Sequence, residues 1–359
     1  MNTVILLAAG KSLRAGQDKL WVEIVGKPLW THSYKTFLEH SDIDHIILVV
    51  PKGEEFKFLP FLDGKKTQVV SGRETRMESF KAGLAAVAKL TNEDIIIDHN
   101  AANPWVTNQE ISAVIVTAKK FGAAAVSHPA VDTVMEAKDG FYIAALPREK
   151  IRLMQTPQAV RGDILQSTLL GEATDLATAL IGKTEIHLVE ASPANKKITF
   201  AEDLDALRMQ TFLGEDSHSF GTSGQLTLGG LKVPALPALE ANSDGDVILH
   251  AIGRALAQAC GQNFSEVADP LSLSGDQDSR DYLEPLLSKV KIQQVSLSFE
   301  CARPQIDPIT SELKSSLGKI LGIQPEQIHL SAHTGEGLTS FGRGEGIRCL
   351  ALLTVLPLN

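Results

Sequence analysis

The chain has 359 residues, with 34 Lys and Arg against 43 Asp and Glu for a formal charge of −9, and is 43% apolar and 21% charged. At roughly 100–200 residues per domain, this length predicts two domains, or one large α/β enzyme with an appendage. The composition excludes a disordered or fibrous chain, and a pI near 5.6 argues against a broad nucleic-acid or anionic-membrane surface.

No apolar run approaches the roughly 18–20 residues of a membrane span, and the start MNTVILLAAGKSLRAG lacks a basic leader, so a cytoplasmic protein is expected. Cys260, Cys301 and Cys349 are scattered without CxxC spacing, which predicts core filler rather than disulfides or a thiolate metal site.

In chain order, Val4–Leu7, Ile46–Val50, Thr67–Val70 and Ile95–Asp98 read as buried strands. Pro28–Leu38, Arg76–Lys89 and Asn108–Lys120 have helical apolar spacing. This alternation predicts an α/β domain with a parallel-rich sheet covered by helices on both faces, with ligands beyond the carboxyl ends of the strands. A helical stretch AEDLDALRMQTFL is expected to stop at Gly214, placing a boundary at about 205–214. The remainder reads as an α+β domain. Its expected order is a glycine-punctuated strand region, helix Gly245–Cys260, a polar loop at 265–280, helix Arg280–Val290, strand Gln293–Phe299, helix Pro308–Leu321, and strands His329–His333 and Ile347–Val355.

The first expected strand runs into AAGKSLRAGQDKL. Ala8, Ala9 and Gly10 let the backbone approach a ligand, and the cations Arg14 and Lys19 follow. Such a turn can cradle phosphate while the cations neutralise charge that develops in phosphoryl or nucleotidyl transfer. It is neither G-x-G-x-x-G nor a Walker A sequence. Further on, Asp216 and His218 have the i, i+2 spacing that puts two ligands on one face of an extended segment, and His250 could complete the set. Three ligands leave one tetrahedral position open, the arrangement of a catalytic zinc site.

Across about 1–210, the ordered blocks LLAAGKSLRAGQDKL, SGRETRMESFKAGL, DHNAANP, AVDTV, LMQTPQ, ATDLATAL and NKKITFAEDL resemble the 2-C-methyl-D-erythritol 4-phosphate cytidylyltransferases of the non-mevalonate isoprenoid pathway. The resemblance implies a nucleotidyltransferase-like fold, CTP and methylerythritol phosphate as substrates, and Mg²⁺ on the triphosphate. Arg14 and Lys19 would contact the CTP phosphates and stabilise the pentavalent phosphorus. Arg76 and Ser79 fall in the nucleotide block, and Thr133, Arg148, Thr156 and Lys197 match positions that hold the acceptor or complete the pocket. One departure stands out. The pattern H-D-A-A-R-P appears as His99-Asn100-Ala101-Ala102-Asn103-Pro104, losing a carboxylate at Asn100 and a guanidinium at Asn103. Asp98 is expected on the opposite strand face, unable to take over.

Across about 211–359, GEDSHSF, ANSDGDVILHA, DSRDYL, AHTGEGL and FGRGEGI resemble 2-C-methyl-D-erythritol 2,4-cyclodiphosphate synthases. That resemblance implies trimers with sites between subunits, and Zn²⁺ held by Asp216, His218 and His250. Its reaction is attack of the 2-phosphate of a cytidylated diphospho substrate, with loss of CMP. Thr334 would stabilise the transition state, Glu336 would hold a divalent ion on the phosphates, and Arg343 would contact phosphate. Ser243 and Phe341 fall in the matching blocks, and Ala302 begins the segment resembling the cytosine-reading loop. Asn242 stands where the family has histidine, His333 replaces a threonine, Gly337 replaces a lysine, and no D-I-G follows the metal helix. Two readings follow: a bifunctional enzyme of two non-consecutive steps, or an active transferase fused to a weakened zinc-binding oligomerisation or metabolite module. A transferase acting on another sugar phosphate is a third.

Overall fold

The computed structural model describes residues 1–10, 12, 15–275 and 277–357, and the chain divides into two compact units, Met1–Leu207 and Arg208–Asn359. The first unit is built on a seven-stranded sheet. Its spatial order is His187–Glu190, Ala123–Pro129, Arg152–Arg161, Ile95–Asn100, Asn2–Leu7, His45–Val50 and Thr67–Ser71. Every pairing is parallel except those of Arg152–Arg161, which runs antiparallel to both neighbours. Central strands of such a sheet are covered on both faces and so read as unbroken apolar runs; Val4–Leu6 and Ile46–Val50 are accordingly buried throughout.

Two of the covering helices start on a capping box. Thr75 accepts from the Glu78 amide and opens Arg76–Ala85, and Thr107 does the same with Glu110 for Asn108–Phe121. Helix Leu29–Glu39 packs Trp30 and Tyr34 into an aromatic cluster with Trp21, Phe58 and Phe61, so Trp21 and Trp30 are packing residues.

The second unit carries a four-stranded sheet in the order Gln210–Ser219, Gly346–Pro357, Val290–Glu300 and Ile328–His333, parallel only in the last pair. Helices Val247–Ala259 and Thr310–Leu321 supply much of its core, among them Ile248, Leu249, Ile252, Leu256, Leu313 and Leu317. Cys301 and Cys349 are buried in it, and burial pushes the Cys301 thiol up to about 11.

Three sequence expectations are corrected here. The helix expected to run up to Gly214 ends at Arg208, and strand Gln210–Ser219 passes straight through Gly214. That glycine marks a close approach instead of a stop, since a Cβ there would lie 2.0 Å from the Ala251 carbonyl oxygen of the crossing helix. The first half of the expected loop at 265–280 is helix Phe264–Leu273, opened by an Asn263–Glu266 capping box. The helix expected over Arg280–Val290 is one turn, Glu284–Leu287, because Val290 already enters a strand.

Gly214→Ala should therefore destabilise the second unit by about 1–3 kcal/mol through overpacking. A lowered denaturation midpoint of the full chain is the expected result, and an unchanged midpoint would contradict the close approach.

Candidate active sites

In the first unit, strand ends and helix starts enclose a cavity of about 380 Å³ lined by Ala9, Gly10, Lys19, Arg73, Arg76, Ser79, Asn100 and Lys197, among others. Among the described lining residues, four cations (Lys19, Arg73, Arg76 and Lys197) face one carboxylate, Glu74. That balance suits a polyphosphate. A wider neighbouring hollow shares Ala9, Gly10, Arg73 and Glu74 and adds Asp18, Pro51 and Lys52. The backbone approaches closely at its rim: a Cβ on Gly72 would sit 2.4 Å from that of Ala9.

Ser79, buried at the second turn of its helix, accepts from the Arg73 amide at 2.9 Å and donates to the Arg73 carbonyl at 3.2 Å. It thereby fixes the loop carrying Arg73 and Glu74. Arg76, the first residue of that helix, donates from Nε to Asn100 Oδ1 and from Nη2 to Asp98 Oδ1, both at 2.9 Å. Asp98 and Asn100 thus share a face of strand Ile95–Asn100, as period two requires, and the expectation that Asp98 points the other way is corrected. Burial pushes the Asp98 carboxyl up, and the Arg76 guanidinium opposes that shift.

Asn100 also donates to Asn103 Oδ1 at 3.4 Å, which joins it to a buried amide network. Asn103 donates to Gln155 Oε1 and Asn195 Oδ1, each at 3.1 Å, and Asn195 donates to Glu110 Oε1 at 3.0 Å and to the Thr156 carbonyl at 2.9 Å. His99 Nε2 faces the Asn103 carbonyl at 3.0 Å and so carries the proton; burial holds this imidazole down at about 3, neutral and structural. Ala8 and Thr156 are buried and do not line the cavity: the Ala8 amide donates to the Val49 carbonyl, and Thr156 Oγ1 accepts from the Asn100 amide at 3.2 Å. Thr133 and Arg148 are exposed at the base of the hairpin Met135–Lys138/Phe141–Ala145, away from the cavity wall of their own chain, with Arg148 donating to the Val131 carbonyl. Arg14 lies outside the described residues.

In the second unit, Asp216 and His218 share a face of strand Gln210–Ser219, and His250 projects from the first turn of helix Val247–Ala259. His218 Nε2 lies 2.9 Å and His250 Nδ1 3.2 Å from Asp216 Oδ2, and one ligand atom from each residue falls within 4.8 Å of the others. Asp216 Oδ2 and His218 Nε2 are buried without a well-formed hydrogen bond, as atoms converging on a cation would be. Burial works against ionisation of Asp216, yet the two imidazoles outweigh it and hold its carboxyl well below the usual carboxylate range; the same carboxylate raises His218.

Behind His250, its Nε2 meets Ser279 Oγ at 3.0 Å and Ser243 Oγ at 3.2 Å, and Ser279 Oγ also bonds Asp244. Ser279 is wholly buried. This arrangement turns Nδ1 toward Asp216, the kind of outer support that orients metal-binding histidines. Ser243 therefore reaches the triad, while Asn242 is exposed beside it. Thr334, Glu336, Phe341 and Arg343 sit on the glycine-rich return segment. There Ala302 donates to the Phe341 carbonyl at 3.1 Å and Arg343 pairs with Glu345 at 3.0 Å.

Comparison with known proteins gives the same two-part division. Residues 2–212 match the family model of IspD, 2-C-methyl-D-erythritol 4-phosphate cytidylyltransferase, and residues 209–356 match that of the YgbB family. The bifunctional enzyme IspD/IspF of an Anaeromyxobacter species is 31% identical over 97% of this chain and 96% of its own length. The chain belongs to the bifunctional IspD/IspF family. The Rhodopseudomonas palustris IspD/IspF is also 31% identical, over 99% of this chain and 95% of its own. The solved bifunctional IspDF from Campylobacter jejuni covers 100% of this chain and 99% of its own at 25% identity, with a TM-score of 0.50.

Arg73, Asn195 and Ser279 are not among the residues the sequence singles out, and Asp98 is assigned there to the wrong strand face. Period two along Ile95–Asn100 was the signal available for Asp98, whereas nothing local announces the others. Ser279→Ala should weaken metal binding by about 10-fold, measured by chelator competition. Because protons compete for a raised His218, the metal affinity of the unaltered chain should fall as pH drops through the imidazole range. A flat affinity from pH 8 to 5.5 would contradict the triad.

Proposed function

We propose the following division of labour within this bifunctional IspD/IspF chain. The first unit transfers CMP from CTP to 2-C-methyl-D-erythritol 4-phosphate and releases pyrophosphate. The second cyclises 4-diphosphocytidyl-2-C-methyl-D-erythritol 2-phosphate to the 2,4-cyclodiphosphate and releases CMP. The observation carrying this reading is the pairing of a cation-lined cavity at the strand ends with a separate Asp216–His218–His250 cluster.

In the first reaction an acceptor phosphate oxygen attacks the α-phosphorus of CTP, and two anions must meet in line. Lys19 and Lys197, with Arg14 by resemblance, offset that repulsion and the charge of the transition state. Arg76 binds the nucleotide, Ser79 holds the loop over it, and Ala9 and Gly10 leave room for the backbone to face phosphate. Thr156 acts by fixing the Asn100 backbone. Thr133 and Arg148, on the exposed hairpin, are proposed as acceptor-binding residues. Mg²⁺ is proposed to arrive with the triphosphate.

In the second reaction the 2-phosphate attacks the β-phosphorus and CMP departs. Asp216, His218 and His250 are a carboxylate and two imidazoles, a donor set that suits Zn²⁺ with an open position. A cation held there would supply positive charge to the diphosphate oxygens. Thr334 is proposed to stabilise the transition state, Glu336 to hold Mg²⁺ on the diphosphate, Ser243 and Arg343 to contact phosphate, and Ala302 and Phe341 to frame the cytidine. Asn242 offers a neutral hydrogen bond where the family has an imidazole.

The second unit is proposed to form trimers. Leu213 and Leu352 are register partners on adjacent strands and are 47% and 43% exposed, an apolar pair that a neighbouring subunit would cover. No helix among the described residues is long and apolar enough to cross a membrane. Water-soluble phosphate substrates support a cytoplasmic setting.

Lys19→Ala should lower CMP transfer about 10²–10³-fold with an unchanged unfolding transition, read as pyrophosphate release from CTP and methylerythritol phosphate. His218→Ala should abolish CMP release from the cyclisation substrate and leave pyrophosphate release intact. Loss of both activities in either variant would refute the assignment of one reaction to each unit.

A further inference from the structure

Arg76 is the cavity cation whose surroundings the structure defines most fully. Its Nε and Nη2 are tied to Asn100 and Asp98, while Nη1 is buried with no hydrogen-bond partner. Asp98 is wholly buried, with Arg76 Nη2 2.9 Å from each of its carboxylate oxygens. A buried carboxylate is costly unless it is paired, so this one is retained at a price in solvation that the guanidinium offsets. Nothing in the resemblance assigns Asp98 a role.

We propose that Asp98 is a positioning residue of the cytidylyltransferase cavity: with the Asn100 side chain it holds the Nε and Nη2 groups of Arg76 and so fixes that side chain in the cavity wall, where it meets bound CTP. The inference rests on the reading of this cavity as the CTP site. A guanidinium held through two of its nitrogens has lost its side-chain freedom before the nucleotide arrives, so less ordering remains at binding. Asn100 cannot provide the charge in this pairing. Asp98, on the same strand face, does so from two residues upstream, which restores a carboxylate to this end of the strand.

The test uses the full chain and steady-state pyrophosphate release. Asp98→Asn should raise KM for CTP about 10-fold or more, with KM for methylerythritol phosphate unchanged. Moving the charge, in Asp98→Asn/Asn100→Asp, should bring KM for CTP back to within about 3-fold of the starting value. If Asp98→Asn alone does not fold, Arg76→Gln and Asp98→Asn/Arg76→Gln carry the test: the second removes both buried charges, and its KM for CTP should equal that of the first. An unchanged KM in folded Asp98→Asn, no recovery on moving the charge, or a further loss on adding Asp98→Asn to Arg76→Gln would each overturn the proposal. Absence of pyrophosphate release from the unaltered chain would instead overturn the reading of the cavity, which keeps the two failures apart.

Discussion

Side chains alternate across a β-strand, so a residue and its neighbour two places on share a face, and both sites depend on that constraint. Asp98 and Asn100 form such a pair at the end of one strand, and Asp216 and His218 form another. Each pair meets one side chain from the first turn of a helix: Arg76 behind the Thr75 cap, and His250 behind the Asp246 cap. A strand supplies two groups at fixed spacing, and a capped helix supplies the third at a fixed angle. Asp246, fully buried, also accepts from the amides of Gly229 and Gly230, so the helix bearing His250 is anchored to a separate turn.

Much of this was legible in the sequence. Unbroken runs such as Ile46–Val50 can be little other than central strands, and Asp216–x–His218 declares its geometry as soon as the segment is known to be extended. Gly214 misled because a glycine after a helical pattern usually marks a stop; only the helix packed across it, distant in sequence, reveals why a side chain is excluded. The stretch at 265–280 looked like a loop because Ser, Asp and Gly crowd it, yet the Asn263 cap and the apolar spacing of Phe264, Val267 and Leu271 make its first half a helix. The roles of Ser279 and Asn195 could not be read at all. Each acts on a partner many residues away, and local pattern carries no information about such pairs.

Asn103 shows how a lost charge is absorbed. Where the resembling family has a guanidinium, this chain buries an amide with Gln155 and Asn195 as partners, and Asn195 continues to Glu110, whose other oxygen completes the Thr107 cap. Every link in that chain is a donor facing an acceptor, which is the condition under which polar groups can be buried without penalty. The network joins the helix Asn108–Phe121 to the segment that bears Lys197.

The paired change at Asn100 and Asn103 also bears on how such a site can evolve. An acid and a base absent together leave the electrical balance of the pocket even, and of the two positions only 103 is walled off from water, so a guanidinium there without a partner would be the costlier state. Asp98 already gives Arg76 a carboxylate, so a neutral side chain at position 100 leaves that guanidinium with a counter-ion, which is one physical means by which such a substitution becomes tolerable.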